Sequence, residues 1–178
     1  LPSPVALPGW EGREGASGGA DDFALPPNCP QTVGCVLEPL PSTGHPRQDC
    51  VDRVNQFRTH WACLPPLARW TEGEACADEH AEYDSTRDPH AAFGPRMCAS
   101  SGSAQNECPS WPSVASTVDG CLQLMWDEGL PPGRSCTGQC FEDHGHFINM
   151  ASQRYERVAC GFFTTEEGEV WAVQNFSP

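Results

Sequence analysis

Apolar residues recur at helical intervals from Asp49 onward. Cys50, Val54, Phe57 and Trp61 are separated by four, three and four positions, which places them on one stripe of a helix with 3.6 residues per turn. The spacing predicts a first helix over 48–61. In "WTEGEACADEHAEYDS" Thr71 precedes Glu74 by three residues, the pattern of a capping box. Cys76, His80 and Tyr83 then share a face, so a second helix is predicted over 72–84. Next, "TRDPHAAFGPRMCASSGSAQNECPSWP" shows no period and is dense in Gly, Pro and Ser, so it reads as loop. Val114, Val118, Cys121, Met125 and Glu128 follow at alternating spacings of four and three, a third helix stopped by Gly129. Finally "RVACGFF" and "EVWAVQNF" have strand composition and are separated by "TTEEG", which predicts a terminal β-hairpin.

Three helices followed by a hairpin point to an α+β fold in which helices cover a small antiparallel sheet. Residues 1–48 break this pattern. Stretches such as "LPSPVALPGWEGREGASGG" and "LPPNCPQTVGCVLEPLPSTGHP" are too rich in Pro and Gly for regular structure. They are expected to form an N-terminal arm, its second half pinned by Cys29 and Cys35 against a domain spanning 49–178. With 178 residues, one domain burying roughly 70% of the unfolded chain's surface is expected.

The composition narrows the setting. Ten basic against twenty-four acidic residues give a formal charge of -14, which argues against nucleic acid and anionic membrane as partners, because a polyanion gains nothing by releasing their counterions. No apolar run has the eighteen or so residues of a membrane-spanning helix, and a chain starting at Leu1 with no leader reads as a processed or trimmed form. Eleven cysteines without any C-x2-C pair predict a disulfide framework formed in an oxidising compartment, hence a secreted or extracytoplasmic protein. Short spacings suggest Cys29 with Cys35, Cys98 with Cys108, and Cys136 with Cys140. The odd number leaves at least one thiol free, on a metal or paired outside the chain.

Three places carry candidate chemistry. Glu128 ends the apolar stripe of the third helix, where the negative end of the dipole disfavours an anion, so an inward carboxylate there needs a cation or a proton. "FEDHGHFINM", residues 141–150, sets His144 and His146 around one glycine. Together with Cys136 and Cys140 these histidines form C-x3-C-x3-H-x-H, four zinc-type ligands, although in an oxidising compartment the two cysteines are expected to bond each other. "HAE" at 80–82 resembles part of a zinc-deaminase motif but lacks the following P-C-x-x-C, so His80 reads as a packing or rim histidine. There is no G-x-S-x-G elbow for serine catalysis. Trp61, Trp70, Trp126 and Trp171 fall in predicted core elements.

The block order "DCVDRVNQFR", "LPPLARWTEGEACADEHAEYD", "PHAAFG", a helix ending in Glu, and "GHF" before "VACGFF" and "WAVQNF" resembles the CAP superfamily of cysteine-rich secretory, antigen 5 and pathogenesis-related proteins, over roughly 49–178. The resemblance implies an α-β-α sandwich with a cleft lined by two His and two Glu. Matched residue by residue, these are His90 in "PHAAFG", His146 in "GHF", Glu128 of the family's W-x-x-E, with Met125 in the tryptophan's place, and Glu107 in "QNE" for the family's "GEN". Here Asn106 precedes the Glu instead of following it. The family's "GHYTQ" becomes "GHFIN", and its closing "CNY" becomes "QNF". His144 is then a neighbour at the rim.

Two neutral imidazoles with carboxylates nearby suit Zn2+ or a similar divalent ion. The expected function is a secreted binding protein whose cleft, His90, Glu107, Glu128 and His146, holds a divalent metal and a small, lipid or protein ligand without catalysis. Two alternatives stand beside it: a metal-dependent hydrolase of peptide or glycan with Glu128 or Glu107 as general base, and a structural surface protein with a vestigial cleft.

Overall fold

The computed structural model describes residues 36–131 and 136–178. Helix α1 runs Pro46–Trp61, strand β1 Ala68–Arg69, helix α2 Thr71–Asp84 and strand β2 Ala104–Trp111. A continuous helical stretch follows, made of α3 (Val114–Ser116), a π-helical segment Thr117–Cys121 and α4 (Leu122–Asp127). Helix α5 (Gln139–Ala151) leads into the hairpin β3 (Arg157–Thr164) and β4 (Val170–Ser177). The four strands are ordered β1-β3-β4-β2, with β1 parallel to β3 and the other pairs antiparallel.

Helices cover both faces of this sheet. Against one face, Phe57 and Trp61 of α1, Trp126 of α4 and Phe147 of α5 form an aromatic core. Within it Phe57 stacks on Trp126 with centroids 5.4 Å apart, and Trp126 meets Phe147 at 4.6 Å. On the other face α2 lies on β3 and β4 through small residues, Ala77 and Ala81 packing with Trp171 and Val173. All four tryptophans assigned to the core are buried. The result is the α-β-α sandwich expected of the fold class.

The three predicted helices and the hairpin are present, with α1 starting at Pro46, its proline placed where a missing N–H costs nothing. Three elements were not predicted, the first being the two-residue strand β1. The segment read as loop contains β2, whose buried positions include Gln105, Asn106 and Glu107, so polar residues hide the strand. Helix α5 spans the His-Gly-His segment. The capping box does not form: Trp70 is the N-cap of α2, without a side-chain cap, and Glu74 instead takes Arg69 in a paired contact, 2.5 Å to Nε and 3.1 Å to Nη2.

Four disulfides join described cysteines: Cys50–Cys160, Cys76–Cys98, Cys108–Cys121 and Cys136–Cys140. The last agrees with expectation. The pairing of Cys98 with Cys108 is overturned, because the pleat of β2 sends Cys108 into the aromatic layer with Cys121 while Cys98 joins Cys76 on α2. The proposed Cys29–Cys35 pair lies outside the described residues, as does most of the 1–48 arm.

Close approach of α2 to β3 depends on Gly161. A Cβ there would overlap the backbone of Ala77 and Asp78, where Asp78 Oδ1 also accepts from Phe162 N at 2.8 Å. Gly161→Ala is expected to lower stability by about 1–3 kcal/mol through overpacking, read as a lower urea midpoint at unchanged slope. An unchanged midpoint would mean that α2 can lift from the sheet at no cost.

Candidate functional site

Strand β2, at an edge of the described sheet, carries Glu107 and touches the segments that bear His90 and His146. Because side chains alternate along a strand, Gln105 and Glu107 face the α2 layer while Ala104, Asn106 and Cys108 face the aromatic layer. The two sets hold the two histidines from opposite sides.

His90 follows α2 in an irregular loop and has φ +65°, a left-handed backbone that histidine tolerates better than most residues. Its backbone N–H donates to Glu107 Oε2 at 2.6 Å. Its ring nitrogen Nδ1 lies 2.7 Å from Gln105 Oε1 and 3.7 Å from Glu107 Oε2. The partner of the ring is therefore Gln105, one strand period before the residue matched to the family's Glu, and the family's acid-then-Asn order falls on Gln105 and Asn106. Burial pushes the His90 pKa down to about 4, against the raising effect of Gln105, and the charge of a protonated His146 lowers it further.

His146 sits on α5. Glu128, the C-cap of α4, turns its carboxylate away from the negative end of its own helix toward α5. Its Oε1 is 2.5 Å from His146 Nδ1, and Oε2 accepts from the backbone N–H groups of His146 at 2.9 Å and Phe147 at 3.2 Å. These donors answer the charge that the sequence left unexplained. His144 Nδ1 faces the carbonyls of Glu128 at 2.7 Å and Gly129 at 3.0 Å, so it closes the end of α4 and is not part of the cleft. Asn106 Nδ2 donates to the His146 carbonyl at 3.1 Å, and Asn149 Nδ2 donates to Asn106 Oδ1 at 2.9 Å, which ties α5 to β2.

Cys136 and Cys140 are a disulfide, so C-x3-C-x3-H-x-H has no thiolates to offer and the local zinc site is ruled out. A different group, Cys76, His80 and Cys98, brings three metal-type ligand atoms within 4.8 Å of one another. Its two sulfurs, however, form the Cys76–Cys98 disulfide. Neither this cluster nor Gln105 was singled out as a site from the sequence. The signal for Gln105 was the order Gln-Asn matching the family's Glu-Asn.

Behind His90, Asp84 and Glu107 face each other. Asp84 Oδ1 accepts from Ala92 N at 2.8 Å, whereas Asp84 Oδ2 and Glu107 Oε1 are buried without any other partner. Two carboxyls so placed cannot both ionise, and sharing one proton satisfies both oxygens. Burial is the main cause raising the pKa of each, with the neighbouring acid reinforcing it at Glu107. The pair holds that one proton between them, and the other oxygen of Glu107 accepts from the His90 N–H.

The folded chain thus retains a proton that the unfolded chain releases above the ordinary glutamate value of 4.5. Stability from this pair is full below that value and is lost as pH rises toward the folded value. Glu107→Gln mimics the protonated acid: its amide can donate to Asp84 and its oxygen can accept from His90. Urea unfolding at pH 5 to 8 is expected to show the variant gaining on the wild type as pH rises, by at least about 1 kcal/mol at the upper end. A constant difference between the two proteins across that range would show that no proton is shared.

Comparison with known proteins agrees with this architecture. No curated protein matches the sequence. Among solved structures, BmVAL-1 aligns with a TM-score of 0.55 at 20% identity, covering 84% of this chain and 81% of that one. Na-ASP-1 aligns at 0.54 and 17% identity, covering 85% of this chain but only 43% of its own length. At such identities these likenesses bear on the fold alone. The profile described as "CAP: Cysteine-rich secretory protein family" matches residues 51–176, most of the chain and all of the cleft, so the chain belongs to the CAP family of cysteine-rich secretory proteins.

Proposed function

We propose that this is a secreted CAP-domain protein whose cleft binds a divalent cation, Zn2+ by the chemistry of its ligands, through His90 and His146. One observation carries the reading. Both Nδ1 atoms lie against oxygen acceptors, Gln105 Oε1 at 2.7 Å and Glu128 Oε1 at 2.5 Å. An imidazole that donates from Nδ1 carries its lone pair on Nε2, and an oxygen acceptor behind a ligating ring is the usual support of a metal-binding histidine. The depressed pKa of His90 keeps its ring neutral near pH 7, as a ligand must be. A bound ion would supply Lewis acidity and open coordination positions for a small, lipid or protein ligand, the partner classes suggested by the family.

The same contacts argue for binding over turnover. Glu128 has both oxygens engaged by three N–H groups, so its role is to orient His146. Glu107 is buried, paired with Asp84 and supports the His90 loop. Neither is placed to take a proton from a metal-bound water, which a hydrolase needs. Four disulfides among the described cysteines fit an oxidising, extracellular setting, and no described helix is long and apolar enough to cross a membrane.

Calorimetric titration with Zn2+ is expected to give one site per chain, weakened at least roughly tenfold in His90→Ala and in His146→Ala, with hydrolysis of peptide and glycan panels at buffer background in all three proteins. Zn2+ binding that survives both substitutions would overturn the site. Turnover abolished by either substitution would favour the hydrolase reading.

A further inference from the structure

Two histidines meet the two ends of one amide. Gln105 Nε2 lies 2.9 Å from His80 Nδ1 and 2.9 Å from Asn175 Oδ1, while Gln105 Oε1 lies 2.7 Å from His90 Nδ1. Which atom donates at each contact is decided in the core. Ser101 Oγ is 2.6 Å from the Cys98 carbonyl, which can only accept, so the hydroxyl proton goes there. Ser101 is left as an acceptor toward His80 Nε2 at 3.4 Å. The other neighbours of that nitrogen are the disulfide sulfurs of Cys76 and Cys98, at 3.6 Å and 3.4 Å, and they carry no proton either. The ring hydrogen of His80 must therefore sit on Nε2.

His80 is fully buried, and burial lowers its pKa, so the ring is neutral and its Nδ1 holds a lone pair. Among the described residues the NH2 of Gln105 is the group that meets that lone pair. The second hydrogen of the same NH2 lies toward Asn175, and a flipped Gln105 amide would set its oxygen against the His80 lone pair. With its nitrogen committed, Gln105 can present only its oxygen to His90.

We propose that Ser101, His80 and Gln105 form a hydrogen-bonded relay, running from the Cys98 carbonyl to the cleft, that sets the tautomer of His90 and so makes Nε2 its ligating atom. His80 and Gln105 are then positioning residues for the metal site. The relay rests on the metal-binding reading of the cleft, but its tautomers exist without any metal.

The test is multiple-bond 1H–15N correlation of the histidine rings in the metal-free protein, followed by Zn2+ titration. The wild type is expected to show the ring hydrogen on Nε2 in His80 and on Nδ1 in His90. A wild-type His90 carrying hydrogen on Nε2 overturns the relay. Gln105→Leu and His80→Phe are expected to return His90 to a mixture containing the Nε2–H form and to weaken Zn2+ about 10–100-fold. Gln105→Glu, whose carboxylate still accepts from His90, is expected to retain the Nδ1–H form and near wild-type affinity. A folded His80→Phe with unchanged His90 tautomer and affinity also overturns the relay. Should His80→Phe fail to fold, the wild-type spectrum and the two Gln105 variants decide. A wild type that shows the expected tautomers yet takes no Zn2+ removes the metal reading and leaves the relay standing.

Discussion

The pleat of one edge strand organises the cleft. Gln105 and Asn106 are neighbours in sequence but point to opposite layers, and each holds one histidine-bearing segment: Gln105 the ring of His90, Asn106 the carbonyl of His146. The pairing of β2 with β4, Gln105 opposite Asn175 and Asn106 opposite Gln174, fixes this register. A slip by one residue would exchange the two faces, turning Gln105 into the aromatic core and leaving the His90 ring and the His146 carbonyl without their β2 partners. Polar residues at this depth are joined in one network of Gln105, Asn106, Asn149 and Asn175, in which Asn175 Nδ2 alone of their amide groups is buried without a partner.

The acidic residues near the cleft show how environment assigns roles to one chemical type. Glu128 spends both oxygens on three N–H groups of a neighbouring helix. Glu107 and Asp84 are held by burial in a pair that shares a proton. Residues that read as two bases and two ligands in sequence become two imidazoles braced at Nδ1, the His146 ring by the Glu128 carboxylate and the His90 ring by the Gln105 amide.

Covalent bonds supply the rigidity this arrangement needs. Cys50–Cys160 spans 110 residues and ties α1 to β3, Cys108–Cys121 ties β2 to the π-helical segment, and Cys76–Cys98 anchors to α2 the irregular loop that carries His90. Closing long loops restricts the unfolded chain most. For the His90 loop the cross-link has a second consequence, since it places two sulfurs and the Cys98 carbonyl beside His80, where they decide which nitrogen bears the hydrogen.

Periodicity alone determined α1, α2, the helical stretch through Glu128 and the terminal hairpin, because each has an apolar face that repeats at its own structural period. The block order further pointed to the family, and it picked out Glu128 and His146, which the structure brings into contact. Strand β2 and the partner of His90 were not legible. "AQNEC" buries polar side chains whose partners lie far along the chain, and no local pattern reports a hydrogen bond to residue 80 or 175. Disulfide pairing failed for the same reason at Cys98, where short spacing suggested Cys108 but the pleat of β2 turns Cys108 toward Cys121 while the loop carrying Cys98 packs on Cys76 of α2. What the chain encodes locally is which face of an element is apolar; which acid keeps its proton and which nitrogen keeps its lone pair depend on contacts made only once the layers have packed.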